Sequence, residues 1–294
     1  QGVEVKEGFD GTLTGQVIVD AILGSGFKGE LRPEYAQAAK AVNRNSAPVL
    51  AIDIPTGVSA DCLTSDQNAI EAEITVTFIG RKVGLYTGRG YAAAGQVIYQ
   101  SLGAPSNIFK QMDTGIPLLD FLKLPPLEPL AIDSHKHSRG HAVIVGGDNS
   151  MGGAILMAGE SALRVGAGLV TIIGRKAHGP AVLARRPEIM FVDAENEKSR
   201  KSALAKADTI VVGPGLGTND WGLALLRESL MMNKLLVLDA DALKLIGTVE
   251  TENFPPSIVT PHVGEAAAML GVSSEEIDND RLAASKSIAR LTGG

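Results

Sequence analysis

One stretch, HKHSRGHAVIVGGDNSMGGAILMAGESALRVGAGLVTII at residues 135–173, decides the fold. It contains two short apolar runs, HAVIVGG (141–147) and LVTIIG (169–174, one residue beyond the stretch), with a helical pattern near 153–166 between them. Runs that are apolar on both faces and rich in β-branched residues are typical of strands buried in a parallel sheet. A strand, a helix and a second strand in this order predict a βαβ unit.

The same alternation continues towards the C-terminus. We predict further strands at TIVVG (209–213), LLVLDA (235–240) and SIVTP (257–261). Helical patterns fill the gaps and end the chain, at 198–206, 219–232, 263–270 and 280–292. Strands that alternate with helices predict a second-half domain of the α/β class, with a doubly wound parallel sheet.

The first half of the chain repeats this rhythm. A helix that begins at Pro33 is predicted at 33–45, because proline suits the first helical position. Four apolar runs predict strands, QVIVDAI (16–22), VLAIDI (49–54), ITVTFIG (74–80) and QVIYQSL (96–102). The alternation lapses between 111 and 133, where four prolines occur. We therefore predict a domain at 1–112, a linker at 113–133 and a second domain at 134–294.

Composition limits the class of protein. The 294 residues are 45% hydrophobic and 20% charged with a net charge of −6, which is typical of a globular protein with room for two domains. Aromatic residues make up only 4%, and the basic pairs Arg81–Lys82 and Arg185–Arg186 are interpreted as solvated faces, so we expect no nucleic acid partner. The single cysteine, Cys62, fits the reducing cytoplasm. No apolar run approaches membrane-spanning length, so we expect no membrane partner.

Two loops of the first half carry residues suited to a ligand. Ligands of doubly wound sheets bind beyond the carboxyl ends of the strands, where DAILGSGFKGEL (20–31) offers free amides to an anion. The loop AIDIPTG (51–57) brings Asp53 to the same edge. Asp20 and Thr56 supply hard oxygen ligands, which suit an alkali or alkaline-earth cation. Both loops could equally be plain turns.

Three loops of the second half are also candidates. GPGLG (213–217) follows a buried strand and presents backbone donors to a phosphate or a ribose. DADAL (239–243) adds two carboxylates, although Asp239 could instead cap a helix. His262 in TPHVGE (260–265) lies at a strand end, where it faces a substrate or is a structural histidine.

Taken together, these motifs occur in the order seen in one family. DAILGSG, DIPTG, GGAILMAGESALRVGAGLVT, GPGLG, DADAL and TPHVGE resemble the bifunctional NAD(P)H-hydrate repair enzymes over nearly all of the chain. The first half resembles the NAD(P)H-hydrate epimerase domain, and the second half resembles the ADP-dependent (S)-NAD(P)H-hydrate dehydratase domain. The resemblance implies two doubly wound α/β domains, the first Rossmann-like and the second ribokinase-like.

The resemblance also implies roles for individual residues. Asp20 and Thr56 match the potassium ligands of the family, and Asp53 matches a nucleotide contact that we take as the residue for proton transfer. In the second half, the positions that line the hydrated nucleotide are Ala154, Gly215 (or Gly217) and His262. The other implied substrate contacts form one loop: Gly24, Ser25, Gly26, Phe27, Lys28, Gly29 and Glu30.

The chain departs from the family pattern in a few places. Thr56 stands where serine is usual, which keeps the hydroxyl, and Val263 stands where proline is usual. The family's early Asn-Gly-Asp-Gly loop would precede Gln1, and its late Gly-x-Gly-Asp motif, which holds ADP and supplies a catalytic aspartate, would follow Gly294. We therefore expect both domains to be incomplete at the chain ends.

The implied activity is the repair of hydrated nicotinamide nucleotides. The first domain would interconvert the R and S forms of NADHX and NADPHX, and the second would dehydrate the S form with ADP and Mg²⁺. We expect a cytoplasmic homo-oligomer. Two alternatives remain: a ribokinase-like small-molecule kinase, which the epimerase-like half argues against, and a non-catalytic nucleotide-binding module, which the joint presence of Asp20, Asp53 and Thr56 argues against.

Overall fold

The computed structural model describes residues 8–9, 11–61, 65–105, 107–108, 116–119, 124, 131–249 and 254–294. The chain forms two compact units, one of residues 1–125 with 275–282 and one of residues 126–274 with 283–294. Most of the predicted linker at 113–133 lies outside the described residues, so the predicted domain boundaries stay a prediction.

The first unit is built on a four-stranded parallel sheet. Its strands follow the chain order β1-β2-β3-β4 across the sheet: β1 Ile18–Asp20, β2 Val49–Ile52, β3 Ile74–Phe78 and β4 Gln96–Gln100. Helix α1 (Pro33–Arg44) connects β1 to β2, and α2 (Gly88–Ala93) precedes β4. Ala51 of β2 and Thr75 of β3 are fully buried on one face of the sheet, whereas Val19 on the other face is 57% exposed.

The second unit is built on a six-stranded parallel sheet in the order β10-β9-β8-β5-β6-β7. The strands are β5 His141–Val145, β6 Leu169–Gly174, β7 Met190–Asp193, β8 Thr209–Val212, β9 Leu235–Leu238 and β10 Ser257–Val259. The helices are α3 Gly152–Arg164, α4 Gly179–Arg185, α5 Glu197–Ala205, α6 Asp220–Leu230, α7 Asp241–Leu245 and α8 Val263–Leu270, followed in the chain by α9 Ser274–Asn279 and α10 Arg281–Thr292.

Strand β5 shows why the strands of this sheet have apolar side chains on both faces. Val143 and Val145 belong to one buried cluster, with Leu226 and Leu238. Ile144, between them, belongs to a second cluster with other side chains such as those of α3. Successive side chains of a strand point to opposite faces, so helices on both sides must bury them.

The strand order places a crevice in the second unit. The chain runs from β5 outward through β6 to β7, and then returns to the other side of β5 with β8, β9 and β10. The order therefore reverses between β5 and β8. Ligands of open α/β sheets bind outside the carboxyl ends of the strands at such a switch point. The residues that follow β5 and β8 here are Gly146–Asp148 and Gly213–Gly217.

The predicted strands are confirmed, most of them with shorter bounds; the first runs only over Ile18–Asp20, whereas β6 has the predicted bounds. The sequence analysis missed β7 and the helix α4 that precedes it. None of the helices in the described part of the chain has the length and apolar character that a membrane crossing requires.

Candidate functional site

The first group of functional candidates joins the ends of β1 and β2. The Asp20 carboxylate is 2% exposed, and Thr56 is fully buried. Thr56 donates from its backbone N–H to Asp20 Oδ2 at 2.7 Å and from its hydroxyl to Asp20 Oδ1 at 2.7 Å. The Thr56 hydroxyl also accepts from the Leu23 N–H at 3.1 Å, which ties the glycine loop to both strands. The structure thus brings together the two predicted cation ligands.

The environment of this pair suits a cation. Burial raises the pKa of Asp20 above its ordinary value, although hydrogen bonds from Thr56 and Ile22 oppose the rise. No basic side chain among the described residues forms an ion pair with Asp20. A buried carboxylate without a counter-charge, beside a hydroxyl oxygen, fits a hard cation with oxygen ligands.

Asp53 has an unusual backbone. It follows β2 directly with a φ of 71°, in the left-handed region that is uncommon for residues other than glycine. Its N–H donates to the Val76 carbonyl at 2.7 Å, and its Oδ1 accepts from the Phe78 N–H at 3.3 Å and forms an ion pair with Lys82. Strained backbone of this kind tends to cluster at functional sites. The interpretation of Lys82 as part of a solvated face is therefore wrong: its side chain is 15% exposed and bonded to Asp53.

A cavity of about 660 Å³ opens in front of this pair. Asp53 and Lys82 line it, together with Ser25 of the glycine loop. Gly24 lies close to the same carboxylate, because a Cβ added there would stand 3.9 Å from Asp53 Oδ2. The cavity's other lining residues are Ile52, Ala60, Asp61, Phe78, Ile79, Gly80, Arg81 and Val83.

The rest of the predicted substrate loop lines a neighbouring space. A turn closes from the Phe27 N–H to the Gly24 carbonyl at 3.1 Å, and Gly29 has a φ of 82°. A second cavity, of about 410 Å³, is lined by Gly24, Gly26, Phe27, Lys28 and Glu30, with Ile22, Leu23, Arg32 and Tyr35. The loop, Asp53 and the Asp20–Thr56 pair therefore share one edge of the first sheet.

In the second unit, the loops after β5 and β8 are bonded to each other at the switch point. The Gly147 N–H donates to the Pro214 carbonyl at 3.1 Å, and the Asp148 N–H donates to the Gly215 carbonyl at 2.7 Å. Gly215 is a neighbour of Ala154, since a Cβ added at Gly215 would stand 3.3 Å from the Ala154 Cβ. A side chain at Gly217 would stand 3.0 Å from Asp148 Oδ2. Three predicted site residues, Ala154, Gly215 and Gly217, thus surround one crevice.

Asp148 holds this crevice together, and the sequence analysis missed it. Its Oδ2 accepts from Asn219 at 2.7 Å and its Oδ1 from Arg175 Nε at 2.8 Å. Burial alone would raise the pKa of Asp148, but hydrogen bonds from Arg175, Asn149 and Asn219 and the Arg175 charge hold that pKa below its ordinary value. Arg175 also pairs with Glu195 at 2.6 Å, and its guanidinium lies 4.1 Å from the centroid of the Trp221 ring.

His262 lies at the N-terminus of α8, where it caps the helix. Its Nδ1 accepts from the Gly264 N–H at 3.1 Å and from the Glu265 N–H at 3.3 Å, while the Glu265 carboxylate accepts from the His262 N–H at 3.0 Å. An imidazole that accepts at Nδ1 carries its proton on Nε2. The side chain is 73% exposed at the carboxyl edge of the sheet, and its Nε2 lies 3.4 Å from Glu265 Oε1, so Nε2 has the Glu265 carboxylate as a neighbour.

Two further interpretations of the sequence are corrected. Asp239 does not cap α7, because the N-cap position of that helix is Ala240. The Asp239 Oδ1 instead accepts a hydrogen bond from the Thr260 hydroxyl at 2.9 Å. Arg186 is not a solvated residue, because its side chain is 29% exposed and donates to Glu160 Oε1 at 2.8 Å. Arg185 donates to the same oxygen at 3.0 Å but is 62% exposed, so it lies on a solvated face as predicted. Both errors have the same cause: the hydrogen-bond partner of each side chain is distant in the chain, so a local sequence pattern does not indicate it.

Residues 142–293 match the family model described as NAD(P)H-hydrate dehydratase. The chain belongs to the NAD(P)H-hydrate dehydratase family. Residues 3–84 match a second family model, described as YjeF-related protein N-terminus. The switch-point crevice with Ala154, Gly215 and Gly217 therefore lies within the part that matches the NAD(P)H-hydrate dehydratase family, and the Asp20, Asp53 and Lys82 site lies within the other.

Curated relatives combine both parts. The chain is 42% identical to a bifunctional NAD(P)H-hydrate repair enzyme of Coxiella burnetii, over 92% of this chain and 55% of the relative. It is 39% identical to the enzyme of the same name from Escherichia coli, over 95% of this chain and 54% of the relative. The chain thus spans about half the length of the curated relatives that it matches.

Solved structures resemble the second unit's fold. A ribokinase-like superfamily protein from Enterococcus faecalis superposes with a TM-score of 0.52 at 29% identity, over 56% of this chain and 59% of that chain. An ADP/ATP-dependent NAD(P)H-hydrate dehydratase from Bacillus subtilis, co-crystallised with ATP and Mg²⁺, superposes with a TM-score of 0.50 at 28% identity, over 57% of this chain and 60% of that chain. The ribokinase-like prediction for the second half is confirmed.

Proposed function

We propose that this chain acts in the repair of hydrated nicotinamide nucleotides. Its first unit interconverts the R and S hydrates of NADH and NADPH, and its second unit takes part in ADP-dependent dehydration of the S hydrate. The observation that carries the proposal is Asp53, a carboxylate on strained backbone that faces a cavity beside a glycine loop. The names of the relatives supply the substrate class.

The chemistry of the first unit follows from the substrate. The C6 carbon of the hydrate carries a hydroxyl and is bonded to the ring nitrogen N1, so inversion requires one of these bonds to break and re-form. Asp53 takes the hydroxyl proton while the C6–N1 bond breaks and leaves its electron pair on N1, which is conjugated to the carboxamide. The ring closes on the opposite face of the resulting aldehyde, and Asp53 returns the proton to the oxygen. Such general base catalysis contributes about 10²–10⁴-fold in rate.

The loop from Gly24 to Glu30 and the two cavities receive the nucleotide in this proposal. Gly24 faces the Asp53 carboxylate, and a larger residue there would narrow the approach of the substrate ring. Lys28 and Arg32 line the second cavity and offer cations to a pyrophosphate. The first cavity then holds the ring that reacts, and the second holds charged parts of the nucleotide.

Asp20 and Thr56 are the residues that would hold a potassium ion. When bound, the ion supplies positive charge next to a site that receives an anionic nucleotide. The residues themselves fix the loop, because Thr56 bonds both Asp20 and the Leu23 N–H. This keeps the glycine loop at a set distance from β2 and from Asp53.

In the second unit, the hydrated nucleotide binds at the switch point beside Ala154, Gly215 and Gly217 in this proposal. Gly215 and Gly217 allow the loop after β8 to pack closely against Met151, Ala154 and Asp148, which fixes the shape of this sheet edge. His262 offers its exposed imidazole to the ligand on the same sheet edge. ADP enters the proposal from the name of the Bacillus subtilis ADP/ATP-dependent dehydratase, and Mg²⁺ from its co-crystallisation with ATP and Mg²⁺.

The proposal is tested with a defined mixture of R and S NADHX. Epimerisation is measured by chromatography of the two forms without ADP, and dehydration by the return of NADH absorbance with ADP and Mg²⁺. We expect the parent to re-equilibrate a sample enriched in one epimer, and Asp53→Asn to do so about 10²–10⁴-fold more slowly. Asparagine tolerates positive φ, so this variant keeps the backbone. A parent that leaves the epimers unchanged contradicts the epimerase proposal, and phosphorylation of another small alcohol in place of dehydration favours the kinase alternative.

The homo-oligomer and the cytoplasmic location stay predictions. Size-exclusion chromatography with light scattering measures the first, and imaging of a tagged chain in the source cell measures the second.

A further inference from the structure

Lys82 is held by three oxygen acceptors at once. Its ammonium group pairs with Asp53 Oδ1 and donates to the Thr77 hydroxyl at 3.1 Å and to the Phe78 carbonyl at 2.9 Å. An ammonium group has three N–H donors, so each one has a partner. The side chain is 15% exposed in the wall of the larger cavity. Lys82 is thus a fixed charge and not a mobile surface lysine.

The two oxygens of the Asp53 carboxylate are in different environments. Oδ1 accepts from the Phe78 N–H at the end of β3 and from Lys82, four residues further along the chain. Oδ2 faces Gly24, and no described residue donates a hydrogen bond to it. One oxygen is therefore anchored, while the other is free on the side of the glycine loop.

The backbone conformation makes this anchoring necessary. A residue other than glycine at a φ of 71° persists only when its surroundings hold it there, because the conformation costs about 1–3 kcal/mol. The Asp53 N–H bond to Val76 fixes the main chain, and Lys82 fixes the side chain. Without Lys82, only the 3.3 Å hydrogen bond from the Phe78 N–H would hold Oδ1, and the carboxylate could rotate about its Cβ–Cγ bond, which exchanges the two oxygens.

We propose that Lys82 is a positioning residue for the epimerase reaction: it holds Asp53 Oδ1 so that Oδ2 is presented, unbonded, to the C6 hydroxyl of the substrate. This inference rests on the proposed epimerase function of the first unit. Lys82 acts through Asp53, because its three N–H groups all have protein acceptors and none is left for the substrate. The remaining charged residues that line the cavity are Asp61 and Arg81, and neither of them bonds to Asp53.

The test is a double-mutant cycle on epimerisation kinetics. Lys82→Met should lower kcat about 10²-fold or more with little change in KM, since substrate contacts remain while the base loses its orientation. In the Asp53→Asn background, Lys82→Met should leave kcat almost unchanged, because the carboxylate that Lys82 positions is already absent. Lys82→Arg retains a cation and should recover part of kcat. Melting temperature and circular dichroism verify that each variant is folded.

Arg81→Met is the matched control. It removes the adjacent cation from the same cavity, where the Arg81 guanidinium lies 4.8 Å from the Tyr99 ring centroid. Its effect on kcat should be the same in the parent and in Asp53→Asn. Additive losses from Lys82→Met and Asp53→Asn in an active parent overturn the role of Lys82 and leave the epimerase proposal standing. An inactive parent overturns both. If Lys82→Met does not fold, the coupling of Lys82→Arg with Asp53→Asn decides in the same way.

Discussion

Thr56 donates two hydrogen bonds to the single buried carboxylate of Asp20, one from its backbone and one from its hydroxyl, both at 2.7 Å. This pair links the ends of two neighbouring strands, and it leaves a negative charge in the interior with no basic partner among the described residues. A bound cation would offset the cost of burying that charge.

We therefore predict that potassium stabilises the first unit. A ligand that binds only the folded state raises the free energy of unfolding, by about 1.4 kcal/mol at a concentration ten times its Kd. The melting temperature should be higher in potassium chloride than in tetramethylammonium chloride at the same ionic strength. Thr56→Ser should keep the difference and Thr56→Val should remove it. Equal melting temperatures of the parent in the two salts would contradict the assignment of Asp20 and Thr56 as ligands.

His262 should have two separable roles, as a helix cap and as a donor to the ligand. Replacing a capping residue by alanine costs about 1 kcal/mol, whereas asparagine is itself a good cap. His262→Ala should therefore lower the free energy of unfolding, and His262→Asn should leave it within about 0.5 kcal/mol of the parent. Urea unfolding measures both.

Binding of the hydrated nucleotide then distinguishes the roles of His262. We expect His262→Asn to bind NADHX about 5-fold to 10-fold more weakly than the parent in calorimetry, since one hydrogen bond contributes about 1 kcal/mol. Unchanged binding in a stable His262→Asn would assign the residue to the cap alone.

With the exception of β7, the sequence predicted the strands that the structure describes and the loops that follow several of them, because these depend on local patterns. Asp20, Asp53 and the glycine loop each follow an apolar run directly, and the carboxyl ends of parallel strands meet at one sheet edge. The sequence did not predict the Asp53–Lys82 pair. Lys82 lies 29 residues from Asp53, next to another basic residue, and its pattern is that of an ordinary solvated pair.

In the second unit, too, the sequence did not predict contacts between residues that are distant in the chain. Asp148 and Asn219 are 71 residues apart and meet only because β5 and β8 are neighbours in a sheet whose strand order reverses. Strand β7 was missed because it is a four-residue edge strand that carries a methionine 42% exposed at its start. Edge strands need not be apolar on both faces, and so they lack the signal by which the central strands were recognised.

Asp148 should make the second unit less stable in acid. Its pKa in the folded state lies below its ordinary value, so its carboxylate contributes stability above about pH 4, and this contribution is lost as the pH falls through the lowered pKa. Protonation would also break the bond from Arg175. The free energy of unfolding of the parent should therefore fall more steeply below about pH 4 than that of Asp148→Asn.

Arg175→Gln provides the complementary measurement. It leaves the Asp148 carboxyl in place but removes the cation that lowers its pKa. Its stability should therefore depend less on acid pH than that of the parent. Parallel curves for the parent and Asp148→Asn between about pH 3 and pH 6 would show that Asp148 titrates alike in the folded and unfolded states.

Gly152 and Gly153 are adjacent at the start of α3 and should respond in opposite ways to alanine. A Cβ at Gly152 would stand 2.4 Å from Nδ1 and 2.7 Å from Cγ of His178, whereas a Cβ at Gly153 would meet nothing within 4 Å. The His178 ring cannot move freely, because its Nε2 is hydrogen-bonded to the Asp148 carbonyl at 3.1 Å. Gly152→Ala therefore forces α3 or the Asp148 loop to shift.

We expect Gly152→Ala to lower the free energy of unfolding by about 1–3 kcal/mol, the usual cost of overpacking. Gly153→Ala should be neutral or stabilising by up to about 1 kcal/mol, since alanine is the better helix former. Urea unfolding of the full chain measures both.

Ala154 follows these glycines and contacts the region of Gly215. Gly152→Ala should therefore also weaken binding of the hydrated nucleotide, while Gly153→Ala retains it. In combination with His178→Ala, Gly152→Ala should cost less than it does alone, because the clashing ring is gone. A loss from Gly152→Ala that is the same with and without His178 would place the strain elsewhere in the loop.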